Sequence, residues 1–299
     1  CHNWKNSHLP ERTDVADIKR FVSECKDLVG ESFEINLAGG EPFLREGIFD
    51  IITHIVSQDF TVSCTTNAYL LDEAMIDRVR NSGLHHMPVS LDSLNEETHD
   101  FLRGRPGVYS RVMHAFDSLL RDKGRLRSLT IQTIIMKPNL HDIVPLVRWA
   151  ADRGISVFLM ALMRPSGVGL DPYWFQKKEF AFLWPNDLAR VCEVIDQLID
   201  LQDQGYPIEN QRAQLIAFKE YFRNPLAFIK QGMCSLGDGI VNISADGNIF
   251  LCWEKAPIGN IKTDDIREVW YSSAARERRD EIMKCRRNCA EMVNCFFED

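Results

Sequence analysis

The sequence contains no run of apolar residues that approaches the ~18 needed for a membrane-spanning helix. Its start also lacks a basic stretch followed by an apolar one, so we expect no secretory signal there. The 299-residue chain has a net charge of −8, and a field of that sign disfavours nucleic acid as a partner. We therefore expect a cytoplasmic protein that binds neither membranes nor nucleic acid.

Motifs of several common enzyme classes are missing as well. The sequence shows no nucleotide P-loop, no Ser-His-Asp order and no paired-carboxylate motif. Apolar residues make up 45% and charged residues 26% of the chain. That composition is ordinary for a globular protein and gives ample core for one large or two smaller domains.

The nine cysteines are an odd number in a large chain without a secretion signal, which disfavours a disulfide scaffold. Cys25, on the apolar face of a predicted helix, is expected to be buried. Five cysteines lie in the last 66 residues: Cys234, Cys252, Cys285, Cys289 and Cys295. Thiolates at these spacings indicate a soft metal centre, which is either zinc or an iron–sulfur cluster. Between the first two, Asp246-Gly247 predicts the turn of a hairpin.

Strands and helices alternate along the first half of the sequence. Five strand patterns, at 33–38, 61–65, 86–93, 129–136 and 156–163, are separated by amphipathic helical patterns. This alternation is typical of a parallel sheet in an α/β fold. Ligands of such folds bind at the carboxyl ends of the strands. The aromatic stretch 165–184 that follows is either a loop packed over this end or a platform on which a substrate stacks.

The loop after the first predicted strand reads Gly39-Gly40-Glu41-Pro42. Its two glycines allow positive φ angles and the close approach of a ligand. Glu41 can accept a hydrogen bond from an ammonium group, and Pro42 stiffens the exit of the loop. On these four residues alone, an ordinary turn is the competing interpretation.

This loop and Cys1, 38 positions before Gly39, resemble the radical S-adenosylmethionine (SAM) enzymes. In that family a Cys-x3-Cys-x2-Cys loop follows the first strand and a Gly-Gly-Glu-Pro loop follows the second. The resemblance implies that Cys1 is the third cluster cysteine and that the other two lie upstream of residue 1. It also implies a partial (β/α)6 TIM-like barrel in residues 1–228, with its first strand upstream.

The C-terminal pattern Cys-x12-Gly-x4-Cys, followed by Gly259-Asn260-Ile261, is similar to the SPASM and twitch extensions of the same family. The resemblance implies a small hairpin-and-helix domain in residues 229–299 that holds one auxiliary [4Fe–4S] cluster, so the twitch form is the closer match. The implied ligands are Cys234, Cys252 and Cys295, with Cys285 or Cys289 as the fourth.

The resemblance also implies a SAM site at the strand ends. Its candidate residues are Gly39, Gly40, Glu41 and Pro42 for the methionyl amine, Thr66, Asn67, Ser90 and Asp92 for the carboxylate or ribose, Arg103 for the carboxylate, and Asn139 and Met163 for ribose and adenine. Arg103 has an alternative interpretation as a surface cation at a helix end. We expect His85 and His86 to be structural and His99 to face solvent.

The chemistry implied by the resemblance is reductive cleavage of SAM, by a [4Fe–4S] cluster, to a 5′-deoxyadenosyl radical. The radical then abstracts hydrogen from a peptide or a small natural-product intermediate, and flavodoxin or ferredoxin is the expected reductant. Dehydrogenation of an aminosugar is an alternative within the family. A zinc-stabilised binding or scaffold protein on a barrel without this chemistry is the alternative from another class.

Overall fold

The computed structural model describes residues 13–29, 33–164, 171–227, 234, 236–289 and 293–294. Within them, five parallel strands form one sheet in the order β1-β2-β3-β4-β5. Their bounds are β1 Glu34–Leu37, β2 Thr61–Cys64, β3 His86–Ser90, β4 Ser128–Ile135 and β5 Ser156–Ala161. The predicted α/β fold with a parallel sheet is confirmed.

Helices connect the strands and continue beyond them. Those between strands, with one that precedes β1, are α1 Val15–Cys25, α2 Ile48–Ser57, α3 Glu73–Ser82, α4 Glu96–Arg103, α5 Val108–Arg121 and α6 Ile143–Ala151. Those after β5 are α7 Lys178–Ala181, α8 Leu188–Asp203, α9 Arg212–Arg223, α10 Leu236–Gly239, α11 Ile266–Trp270 and α12 Ser273–Met283. Cys25, the last residue of α1, is buried as predicted. None of the helices in the described ranges has the length and apolarity required to span a bilayer.

Consecutive strands are also neighbours in the sheet, and this order places the connecting helices together. Because parallel crossovers are right-handed, a sheet in simple sequential order carries all its helices on one face. That face is largely apolar, and it is buried on β2 to β5: Val62, Val89, Ile131 and Val157 are each 0% exposed. The alternate residues form the opposite face, which we call the lumen face, and many of them are polar and only partly buried, as Ser90 on β3 is.

A second, three-stranded antiparallel sheet lies in the C-terminal part of the chain. It contains β6 Asn242–Ile243, β7 Asn248–Phe250 and β8 Gly259–Asn260. The predicted hairpin between β6 and β7 is confirmed, since the backbone N–H of Gly247 donates to the carbonyl of Ser244 at 2.9 Å. The strand β8 adds to it. The predicted domain boundary at residue 228 falls outside the described residues and stays a prediction.

The small sheet and its helices pack against α1. The N–H of Thr13 donates to the carbonyl of Ala245 at 3.0 Å, and Arg267 pairs with Asp27 at 2.9 Å. The two ends of the chain are therefore joined, although they are more than 200 residues apart in sequence.

Part of the described aromatic stretch is packed, as one of the two interpretations expected, while Tyr173 and Phe182 are 51% and 47% exposed. Trp174, Phe180 and Trp184 are at most 8% exposed and their rings are in contact. The carbonyl of Leu183 accepts from the N–H of Lys137 at 2.8 Å, which ties the stretch to the loop after β4.

Candidate functional site

Glu41 joins the loop after β1 to the loop after β2. Its Oε1 accepts from the Thr66 hydroxyl at 2.8 Å and from the N–H of Phe43 at 3.3 Å. Its Oε2 accepts from the N–H of Asn67 at 2.9 Å. Burial raises the pKa of the Glu41 carboxyl, while these three hydrogen bonds act in the opposite direction. Three of its roughly four acceptor positions are therefore occupied by hydrogen bonds within the protein. Glu41 positions two loops, a role that the motif alone did not indicate.

The two glycines before Glu41 form an open surface. Gly39 has φ +137°, which L side chains rarely adopt. Gly40 is different, because its φ lies outside that region. A Cβ on either residue would meet no described atom within 4 Å. Packing among the described residues therefore does not require glycine at position 40, and the space beside it is open to a ligand.

The loop after β2 turns tightly around the side chain of Thr66, which is 2% exposed. Its Oγ1 accepts from the N–H of Ala68 at 3.0 Å while donating to Glu41. Ala68 has φ +59°, an uncommon value for a residue with a Cβ. Asn67 stays partly exposed between these two residues and is the member of the predicted pair that faces outward.

Asp92 and Arg103 form a largely buried ion pair behind the loop after β3. The Asp92 Oδ2 lies 2.7 Å from Nη2 of Arg103, and the two side chains are 4% and 23% exposed. The other Asp92 oxygen accepts from the N–H of Ile134 on β4 at 3.4 Å. Arg103 is therefore not a simple surface cation. Its guanidinium is oriented by Asp92 and stays partly exposed.

His99 contradicts the expectation that it faces solvent, since it is 0% exposed. Its Nδ1 accepts from the N–H of Asp92 at 3.1 Å, so the proton of the neutral ring is on Nε2. No described group accepts from that buried Nε2–H. Burial lowers the pKa of His99 to about 4, with a further contribution from Arg103. The four-residue spacing between His99 and Arg103, which puts both on one helix face, was the overlooked signal.

Asn139 is also committed to the fold. It is 0% exposed, and its amide nitrogen donates to the carbonyls of Asp92 at 2.7 Å and Ile134 at 2.9 Å. Its Oδ1 accepts from the N–H of Met136 at 2.9 Å. This geometry favours a positioning role for Asn139 over the predicted contact with ribose. Ser90 and Met163, by contrast, remain partly exposed at the same sheet edge.

The structure describes four cysteines of the C-terminal part: Cys234, Cys252, Cys285 and Cys289. Cys234 belongs to the hydrophobic core and is 7% exposed. Cys252 and Cys289 are partly buried and pack against that core. Within the described ranges, no three His, Cys, Asp or Glu residues are placed to hold a metal ion. Cys1 and Cys295, which are predicted ligands, lie outside those ranges. Cysteine thiolates are the donors that iron–sulfur clusters use, so the donor chemistry fits such a group.

Five parallel strands in sequential order, a glycine-containing loop after β1 and a cysteine-rich C-terminal part agree with the expected partial barrel and its cysteine-rich extension. Comparison with known families makes the same assignment. Residues 1–164 match the family described as the radical SAM superfamily, and residues 234–295 match the SPASM iron–sulfur cluster-binding domain. The chain belongs to the radical SAM superfamily, so its cofactors are SAM, the [4Fe–4S] cluster of that family and iron–sulfur centres in the SPASM region.

Individual relatives agree with the family. The chain is 26% identical to an AdoMet-dependent heme synthase of Methanosarcina barkeri, over 94% of this chain and 80% of that protein. It is 24% identical to the mycofactocin maturase MftC of Mycolicibacterium smegmatis, over 87% and 64%. The SAM-bound structure of SuiB from Streptococcus suis has a TM-score of 0.67 at 18% identity and covers 90% of this chain. The chain spans less than two thirds of MftC and of SuiB.

Proposed function

We propose that this protein modifies a peptide by abstracting a hydrogen atom from it. The carrying observation is that the family assignment comes with relatives named for peptide modification. The lumen face adds a cavity of ≈ 300 Å³ in the amino-terminal half of the strands, at the end opposite the SAM loops, with hydroxyl, imidazole and carboxylate groups on its walls. His86 contacts the Ser128 hydroxyl at 2.7 Å, and Glu34 and Glu209 contribute the carboxylates. Such a surface offers partners to the N–H groups and basic side chains of a peptide.

Relatives support the same substrate class. MftC is named a maturase, another relative is named a PqqA peptide cyclase, and SuiB has been crystallised with its precursor peptide SuiA. These three relatives and the polar groups of the lumen face therefore support a peptide substrate.

The predicted SAM residues divide into two groups in this proposal. Gly39, Gly40, Asn67, Ser90 and Met163 face the ligand. A second group positions them from behind: Pro42, Glu41, Thr66, Asp92 and Asn139. Arg103 belongs to both, because Asp92 orients it and its exposed part remains available for the SAM carboxylate.

The bound cofactors supply the reducing electron and the radical that abstracts hydrogen. The chain itself holds SAM in register with the substrate. The hydrogen bond between Thr66 and Glu41 and the ion pair between Asp92 and Arg103 keep the loops in one arrangement. They therefore limit the rearrangement of these loops when SAM binds.

The C-terminal thiols complete the proposal. Cys234, Cys252 and Cys295, with Cys285 or Cys289, hold one auxiliary [4Fe–4S] cluster, and Cys1 belongs to the SAM-binding cluster. A domain of residues 1–228 carries the barrel and a domain of 229–299 the auxiliary cluster. A flavodoxin or ferredoxin supplies the electron.

A second candidate is a tetrapyrrole substrate, which the identity to the heme synthase over most of both chains favours. Charge argues against it. A tetrapyrrole with carboxylate side chains needs cations of its own, yet Arg103 is assigned to the SAM carboxylate in this proposal, and Arg164, just beyond β5, is paired with Glu254 at 2.5 Å. The carboxylates of Glu34 and Glu209 would repel such a ligand.

The test is anaerobic reconstitution of the full-length protein with iron and sulfide, followed by reduction in the presence of SAM. We expect about eight irons per chain, four for each cluster, and formation of 5′-deoxyadenosine. Peptides encoded by short neighbouring genes should change mass as 5′-deoxyadenosine accumulates. Turnover of an iron porphyrin with inert peptides would favour the second candidate. One zinc and no 5′-deoxyadenosine would favour the scaffold alternative.

A further inference from the structure

The outer edge of β5 has backbone groups that need partners. In a parallel strand, alternate residues direct their N–H and C=O groups to the same side. Val157 satisfies its pair with backbone: its N–H donates to the carbonyl of Pro207 at 2.8 Å, and its carbonyl accepts from the N–H of Glu209 at 2.9 Å. Backbone pairing stops there, two residues before Leu159.

Two asparagine side chains take over as substitutes for a neighbouring strand. The N–H of Leu159 donates to Oδ1 of Asn210 at 2.7 Å, and the carbonyl of Leu159 accepts from Nδ2 at 2.8 Å. Asn294 repeats the arrangement one step further. Its Oδ1 accepts from the N–H of Ala161 at 2.8 Å, and its Nδ2 donates to the carbonyl of Ala161 at 3.2 Å. Each carboxamide thus mimics a peptide unit at the edge.

Gln214 links the two asparagines into one network. Its Oε1 accepts from Nδ2 of Asn210 at 2.8 Å, and its Nε2 donates to the backbone carbonyl of Asn294 at 2.5 Å. All three side chains are at most 3% exposed. We call Asn210, Gln214 and Asn294 the amide ladder. Because its polar groups are buried and paired, removing one leaves a costly unsatisfied group.

The pairing of Asn294 with Ala161 connects the amide ladder to the C-terminal cysteines. Ala161 is the last residue of β5 and so lies at the carboxyl end of the sheet, the end that carries the SAM loops. Asn294 directly precedes Cys295 in sequence. One helical turn earlier, the carbonyl of Cys289 accepts from the N–H of Val293 at 3.0 Å. Asn294 therefore anchors the segment that carries two predicted cluster ligands.

We propose that the amide ladder is a docking device that fixes the terminal cysteine segment to the barrel and so sets the position of the auxiliary cluster relative to the SAM site. This inference rests on the proposed ligand role of Cys289 and Cys295. The ladder residues are positioning residues and touch neither substrate nor SAM.

The key variant is Asn294→Asp. It keeps the oxygen that accepts from Ala161 N–H but replaces the donor with a carboxylate oxygen facing the Ala161 carbonyl. Asn210→Asp makes the same change at Leu159, where the asparagine is not next to a cysteine in sequence. Asn81→Asp is an exposed control on α3. If Asn294→Asp fails to fold, Asn294→Ser, which keeps one hydrogen-bonding group, replaces it.

Hydrogen exchange in the reconstituted protein is the first readout. We expect at least tenfold faster exchange at the Ala161 amide in Asn294→Asp, and at the Leu159 amide in Asn210→Asp. The second readout is the electron paramagnetic resonance signal and midpoint potential of the auxiliary cluster. Both should change in Asn294→Asp and stay at the wild-type values in Asn210→Asp and Asn81→Asp.

Unchanged exchange at Ala161, or an auxiliary-cluster signal that responds equally to both ladder variants, would overturn the proposal. The exchange readout needs neither substrate nor SAM turnover. It therefore reports on the docking even where the proposed peptide-modifying function fails.

Discussion

Protonation of His99 should destabilise the native protein in mildly acidic solution. The buried ring is neutral when folded, since its Nδ1 accepts from the N–H of Asp92 and its pKa is lowered to about 4. The unfolded chain takes up the proton near the ordinary value of about 6.5. Between these values the unfolded state binds more protons, so stability is complete above pH 6.5 and is lost as the pH falls towards 4.

The magnitude follows from the two pKa values. A shift from 6.5 to about 4 corresponds to roughly 3 kcal/mol of unfolding free energy when the titration is complete. At pH 5 the unfolded histidine is almost fully protonated and the native one is not. About 2 kcal/mol should therefore be lost between pH 7 and pH 5.

The variant His99→Asn isolates this contribution. The asparagine Oδ1 keeps an acceptor for the Asp92 N–H but does not titrate, at the cost of a lower baseline because the ring no longer packs against Tyr109. Urea unfolding of the cluster-free protein, followed by tryptophan fluorescence, gives the free energy at both pH values. His141→Asn is the matched control, because the His141 side chain is 66% exposed.

Wild type and His141→Asn should each lose about 2 kcal/mol more than His99→Asn between pH 7 and pH 5. Other titrating groups, including Glu41, are common to all three proteins and cancel in the comparison. Equal losses in all three would refute the assignment of His99 as a buried neutral residue that holds the loop after β3.

Three further predictions concern the cofactor sites. Glu41→Gln places an amide donor against the Asn67 N–H or the Thr66 hydroxyl, and should weaken SAM binding about tenfold in calorimetry; unchanged affinity would contradict the loop-joining role. Gly40→Ala should leave the urea midpoint unchanged but lower SAM affinity, because its Cβ meets no described atom; a large loss of stability would show that the space is filled by protein. Cys252→Ala should remove about four irons per chain while SAM cleavage stays measurable, whereas Cys25→Ala, at a buried position, should keep its iron; equal iron contents would exclude Cys252 as a ligand.

Local patterns in the sequence determined much of the framework. Five strand patterns separated by helical ones indicated a parallel sheet whose carboxyl ends carry the loops. The Asp246-Gly247 turn indicated the hairpin of the C-terminal sheet. These features are readable because strand alternation, helix periodicity and turn chemistry act between residues close in sequence.

Only the tertiary structure decided which polar groups face a ligand and which support it. Glu41 finds its partners 25 and 26 positions away, and Asn294 pairs with a strand residue 133 positions earlier. His99 looked like a solvent-facing residue on a short polar helix, but packing of α4 against the loop after β3 buried it. Such pairings depend on how distant segments meet across the core, and no local pattern encodes that.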